Sequence, residues 1–136
     1  RYQGFGLRGP ADWNDDNCQL VTSEMKNKAD GNATRARWCY IQGPTESGVS
    51  GILFMTHPDN HDYPELLRIW PTGANKGVEN VFFNFNPAQD KDWELIPGQE
   101  YLLKYRMYIF DGEIDSSRAE MLWRDFAMTP SIAYFK

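Results

Sequence analysis

Glu100-Tyr-Leu-Leu-Lys-Tyr-Arg-Met-Tyr-Ile-Phe110 is the stretch that decides the fold class. Its apolar residues recur at every second position. Tyr101, Leu103, Tyr105, Met107 and Ile109 fall on one face of an extended chain, and Lys104 and Arg106 fall on the other. A period of two is the signature of a β-strand, and this pattern predicts a strand whose first face lies in a core. Pro97-Gly98 just before it is a turn signal, with proline where its fixed φ is favoured.

Similar segments lie upstream. Thr34–Gln42 alternates, with Ala36, Trp38 and Tyr40 on one side and Arg35, Arg37 and Cys39 on the other. Ser50–His57 is apolar throughout, which predicts a strand buried on both faces. Val78–Phe85 sets Val81, Phe83 and Phe85 against Phe82 and Asn84. Shorter strands are expected at Tyr2–Arg8, Leu66–Trp70 and Asp92–Ile96, the first carrying Gly4 and Gly6, which mark a bulge or a close backbone approach. Residues 11–33 read as a long polar loop with a brief strand around Leu20-Val21. One helix is expected near Ser116–Ala127. Ser117-x-x-Glu120 resembles a capping box, and Ala119, Leu122, Trp123 and Phe126 form a stripe at helical spacing, which is a docking face. Short strands separated by Gly/Pro turns, with no internal repeat, predict a mostly β protein. The expected fold is an antiparallel β-sandwich, jelly-roll or supersandwich-like, with one C-terminal helix, and residues 1–136 form a single domain.

Composition narrows the function. Aromatic residues make up 15% of the chain, enough for a packed core and for flat ligand-facing surfaces. The net charge of −5, with no Lys/Arg run, gives no reason to expect nucleic acid as a partner. No apolar stretch reaches membrane-spanning length. A phosphate-cradling glycine loop, a dinucleotide fingerprint, a Gly-x-Ser-x-Gly elbow and a Cys-x-x-Cys pair are all absent, so no cofactor is expected. Cys18 and Cys39 read either as two buried thiols or as a disulfide.

The densest polar cluster is His57-Pro58-Asp59-Asn60-His61-Asp62, at the end of an apolar strand. Proline, Asp and Asn are turn formers, so one reading is a turn. A second reading makes it a ligand site in which His57 is an acid/base or hydrogen-bond donor. A third is a metal site built on His57, Asp59 and His61. It is set aside because the chain holds only two imidazoles and their spacing matches no strong signature. Arg35 and Arg37 either pair with acids or form a fork for carboxylates or vicinal hydroxyls, which Arg8 and Arg68 could join.

Several segments occur together in one order: Gly4-Phe5-Gly6-Leu7-Arg8-Gly9-Pro10, Thr34-Arg35-Ala36-Arg37-Trp38, His57-Pro58-x-Asn60 with Pro64, Leu95-x-Pro97-Gly98-Gln99, Tyr105-Arg106 with Asp111-Gly112, and Leu122-Trp123. This order resembles the bacterial family labelled PmoA-like, or DUF6807, over nearly the whole chain. The label refers to a methane monooxygenase subunit that is an integral membrane protein; that activity does not fit a chain without an apolar span. The resemblance implies a β-sandwich encoded near sugar-degrading enzymes and correspondence to the C-terminal portion of a longer domain; a bacterial periplasmic or extracellular location is expected. His61 departs from the residue expected there.

The expectation is a carbohydrate-associated domain. As a hydrolase or lyase acting on a glycoside or oxidised sugar, it would use His57 as acid/base. Arg8, Arg37 and Arg68 would bind oxygens, Asn60 would orient, His61 would line the site, and Trp38 or Trp70 would stack on the ring. The alternative is a non-catalytic carbohydrate-binding or assembly module in which His57 is a turn residue. Beyond a carbohydrate, the partner to expect is an N-terminal portion of the domain or a second copy of the chain. Arg and His converging in one concave pocket would favour the enzyme, and a flat aromatic strip the module.

Overall fold

The computed structural model describes residues 4–77 and 80–128. Seven strands form two antiparallel sheets, and one helix follows them. The strands are β1 (Phe5–Arg8), β2 (Gln19–Thr22), β3 (Trp38–Thr45), β4 (Gly48–Thr56), β5 (Leu66–Ile69), β6 (Phe82–Asn86) and β7 (Tyr105–Asp111), and the helix is α1 (Ser116–Ala127). The small sheet runs β1-β6-β5 and the large sheet β2-β3-β4-β7. They face each other as a β-sandwich, and α1 covers the back of the large sheet.

This layering explains the apolar run in β4. Ile52 and Phe54 point toward the small sheet, where they meet Cys39, Ile41, Phe83, Phe85, Leu67 and Ile69. Leu53 and Met55 point the other way, with Trp38 and Tyr40, onto Ala119, Trp123 and Phe126 of α1. A strand committed on both faces carries no polar alternation. Each fully buried Leu or Phe in these clusters contributes about 1.5–3 kcal/mol. Glycine is required where two chains nearly touch: a Cβ on Gly6 would stand 1.9 Å from the Phe83 carbonyl oxygen and 2.4 Å from the Asn84 Cβ. The close approach read from the β1 glycines is therefore present.

The helix has the expected bounds, but its cap differs. Asp115, not Ser117, is the N-cap, and its carboxylate accepts the Arg118 N–H at 2.9 Å. Glu120 is thereby released from capping and turns to β3. Ala119, Trp123 and Phe126 are buried, and Leu122 packs at their edge, as the stripe requires.

The large differences from expectation fall on Glu100–Phe110. Only Tyr105–Asp111 is strand, and its expected core face is largely outside: Met107 is 51% and Ile109 72% exposed, while Phe110 is buried against α1. β7 is the edge of a four-stranded sheet that faces only three strands. Phe5 of β1 covers Tyr105 by stacking at 4.8 Å, and Met107 and Ile109 lie beyond that cover. Asp92–Ile96 is not a strand, and Leu95 and Ile96 are exposed. β3 starts later than expected, at Trp38, with Arg35 forming an isolated bridge to Leu66. β6 starts at Phe82, and the first two residues of its expected span, 78–79, lie outside the described residues, as do residues 1–3 of the expected first strand. Cys18 and Cys39 are both thiols; burial pushes Cys18 up to about 11 and Cys39 well above its ordinary value.

Candidate functional site

Three polar constellations emerge from this framework, and the sequence-derived candidates divide among them.

The first joins β3 to α1. The Arg37 guanidinium donates to Glu120 Oε2 from Nε at 3.0 Å and from Nη2 at 2.8 Å, and its Nη1 reaches Glu24 at 3.2 Å. Trp38 Nε1 donates to the same Oε2 at 2.7 Å, and Arg124 holds Oε1 at 3.2 Å. Burial pushes the Glu120 carboxyl up, but the hydrogen bonds from Trp38 and Arg37, the Arg37 charge and Arg124 outweigh it, so the group lies below the usual carboxylate range. A depression of about 590 Å³ lies here, yet its strongest groups already satisfy one another. Trp38 is 2% exposed and has no ring face to offer a ligand.

The second fastens the loop that leaves β4. Asn60 Oδ1 accepts the Lys104 N–H at 2.6 Å, and its Nδ2 donates to the Lys104 carbonyl at 2.8 Å, as a strand neighbour would. The same Nδ2 reaches Thr56 Oγ1 and Glu65 Oε1. Glu65 is fully buried and accepts hydroxyls from Thr56 at 2.6 Å and Tyr105 at 3.0 Å. Burial, together with the Glu65 carboxylate, pushes the Tyr105 phenol well above its ordinary value. Arg35 clamps the loop from outside through Asp62 Oδ2 and the carbonyls of Asp62 and Pro64. His57 Nδ1 accepts the Asp59 N–H at 3.1 Å, and its ring meets Phe126 edge-on. His61 stacks flat on Trp93 at 4.3 Å. Among the described residues no group of three or more His, Cys, Asp or Glu side chains is placed to hold a metal ion.

The third lies on the outer face of the small sheet. The register sets Arg8 opposite Phe82, Gly6 opposite Asn84, and Asn84 opposite Arg68, so these side chains share one face. Trp70 follows β5 and bonds the Phe82 carbonyl through its backbone N–H. Its ring stacks on Phe82 at 4.9 Å, and the Arg8 guanidinium lies 4.6 Å from the Trp70 centroid and 5.4 Å from that of Phe82. Such cation–π contacts hold a guanidinium in place while leaving its N–H groups to other partners. Arg8 makes no ion pair among the described residues. Beside it is a depression of about 240 Å³, lined by Gly6, Arg8, Phe82 and Asn84. Asn84 is 6% exposed, and its Oδ1 has no hydrogen-bond partner. An unsatisfied buried acceptor costs about 1–3 kcal/mol.

Of the residues singled out in the sequence, Arg8, Arg68 and Trp70 thus come together. Arg37 and Trp38 lie at the helix, and His57, Asn60 and His61 lie in the loop. Phe82 and Asn84 were not singled out. Their signal was the alternation of Val81, Phe83 and Phe85 against Phe82 and Asn84, which sets an amide beside an aromatic ring on an outward face.

A family model described as "Family of unknown function (DUF6807)" matches residues 1–124. Comparison with curated proteins and with solved structures gives no match.

Proposed function

The chain belongs to DUF6807, a family of unknown function, and from that premise we propose that it is a carbohydrate-binding module whose ligand lies on the outer face of the small sheet. The observation that carries this reading is the Arg8 guanidinium held over Trp70 and Phe82, in one depression with Asn84, whose Oδ1 has no hydrogen-bond partner. Sugars are recognised by planar donors and acceptors aimed at hydroxyls, with aromatic surface against their C–H faces. The carbohydrate expectation implied by the PmoA-like resemblance supports the same reading.

Binding without turnover is favoured over hydrolysis or lysis because the acid–base candidate stands apart from this face. His57 spends Nδ1 on its own turn and packs on Phe126, on the α1 side of the large sheet. Arg37 is engaged by two carboxylates.

Titration calorimetry with neutral and acidic oligosaccharides tests the reading. Trp70→Ala and Arg8→Ala should each weaken binding at least about tenfold, the scale of one lost charge-assisted or stacking contact, while His57→Ala leaves it unchanged. Failure of every sugar to bind, or full binding by both face variants, would sink it. Sugar turnover abolished by His57→Ala would replace it with the enzyme.

A further inference from the structure

We infer that the outer face of the small sheet selects an acidic sugar, a uronate, whose carboxylate is taken by Arg8 and one of whose ring hydroxyls is taken by Asn84. This rests on the binding-face reading and adds the chemistry of the ligand. Among the residues of β1, β6 and β5 that share this face is Arg8, which makes no ion pair among the described residues, and no acid is among them. Arg8 can only donate, and it presents a planar fork that matches a carboxylate in two-point contact. Asn84 is 6% exposed, and its Oδ1, which can only accept, has no hydrogen-bond partner, so it calls for a donor. A ligand that answers both must carry an anion and a hydroxyl a few ångströms apart. A neutral sugar lacks the anion, and a simple carboxylate without a hydroxyl lacks the donor. The space of about 240 Å³ is below the usual range for drug-sized ligands, which suits one ring rather than a long ligand.

The test pairs each acid with its own ester. Trimers of galacturonate, glucuronate and mannuronate, and their methyl esters, are titrated at low salt into the intact chain and into Arg8→Gln, Arg8→Lys and Asn84→Ala. The esters keep every hydroxyl, lose the charge and gain one methyl group per carboxyl. At least one acid should bind, with its ester at least about tenfold weaker, the worth of one charge-assisted hydrogen bond. Arg8→Gln should bring the acid down to the level of the ester. Arg8→Lys, which keeps the charge but not the fork, should restore only part of the difference. Asn84→Ala should weaken acid and ester alike. Circular dichroism shows whether each variant is folded. Equal binding of acid and ester, or discrimination surviving in Arg8→Gln, overturns the uronate preference and leaves the binding face standing. Absence of binding by every acid, every ester and every neutral oligosaccharide overturns both.

Discussion

The Tyr105 hydroxyl donates to Glu65 Oε1 at 3.0 Å, joining the first residue of β7 to the residue that precedes β5. The contact fixes the edge of one sheet to the other across the sandwich. It is part of a buried network in which Glu65 takes hydrogen bonds from Thr56, Asn60 and Tyr105 and, among the described residues, has no cation in ion-pair reach.

Glu65→Ala should therefore cost more than its volume suggests, because it strands several buried donors at once. A loss of roughly 3 kcal/mol or more is expected, against about 1 kcal/mol for Tyr105→Phe, which removes one hydroxyl and keeps the ring. Reversible urea melts check both. Equal effects of the two substitutions would show that the network is not held by Glu65.

The Glu120 cluster gives the fold a pH dependence with a definite sign. Its carboxyl is held below the ordinary value of 4.5 by Trp38, Arg37 and Arg124. A carboxyl depressed in the folded state contributes stability that is complete above the unfolded value and fades as pH falls through the folded one. The chain should lose part of its stability below about pH 4.5, and Glu120→Gln should remove that part of the dependence. Denaturation midpoints at neutral and acidic pH measure it, and a wild-type advantage that persists unchanged in acid would refute the role.

Exposure in β4 and β7 separates two substitutions that the sequence alone treats alike. Leu53, fully buried between the large sheet and α1, should cost about 2–5 kcal/mol when changed to alanine. Ile109, 72% exposed, should cost less than about 0.5 kcal/mol. A large effect at Ile109 would mean that this face is covered.

Gly6→Ala forces a methyl group against the Phe83 carbonyl and the Asn84 side chain. β1 must move away from β6, so a loss of at least about 1–3 kcal/mol is expected, together with weaker sugar binding. A thermal melt that matches wild type would show that β1 yields without cost.

Strand and helix identities were legible where one force acts on a segment. The apolar run of β4 and the stripe of α1 each have a period that burial alone explains. The face of β7 was not legible, because alternation reports that two sides differ and not which one is covered. Tyr105 is packed and Ile109 is bare on the same side, a difference made by where β1 ends. Legibility at the candidate site was also divided. Arg8, Arg68 and Trp70 meet through β6, a strand separated from β1 by more than seventy residues, and no local pattern encodes that meeting. Asn60 drew notice as a polar residue in a loop, but its partner is the backbone of Lys104, which has no side-chain signature.

β4 is hydrogen-bonded along both edges and roofed on both faces. The amide protons of Ile52, Leu53, Phe54 and Met55 have no route to deuterium through fraying or a local opening. They exchange only when the two sheets and the helix come apart together, so their protection factors measure the free energy of the whole domain. β1 and β5, four residues each at the margins of the small sheet, exchange earlier. A ligand seated over Arg8 and Trp70, as proposed, would slow the exchange of those marginal strands first and so write its presence into the isotope pattern of the small sheet.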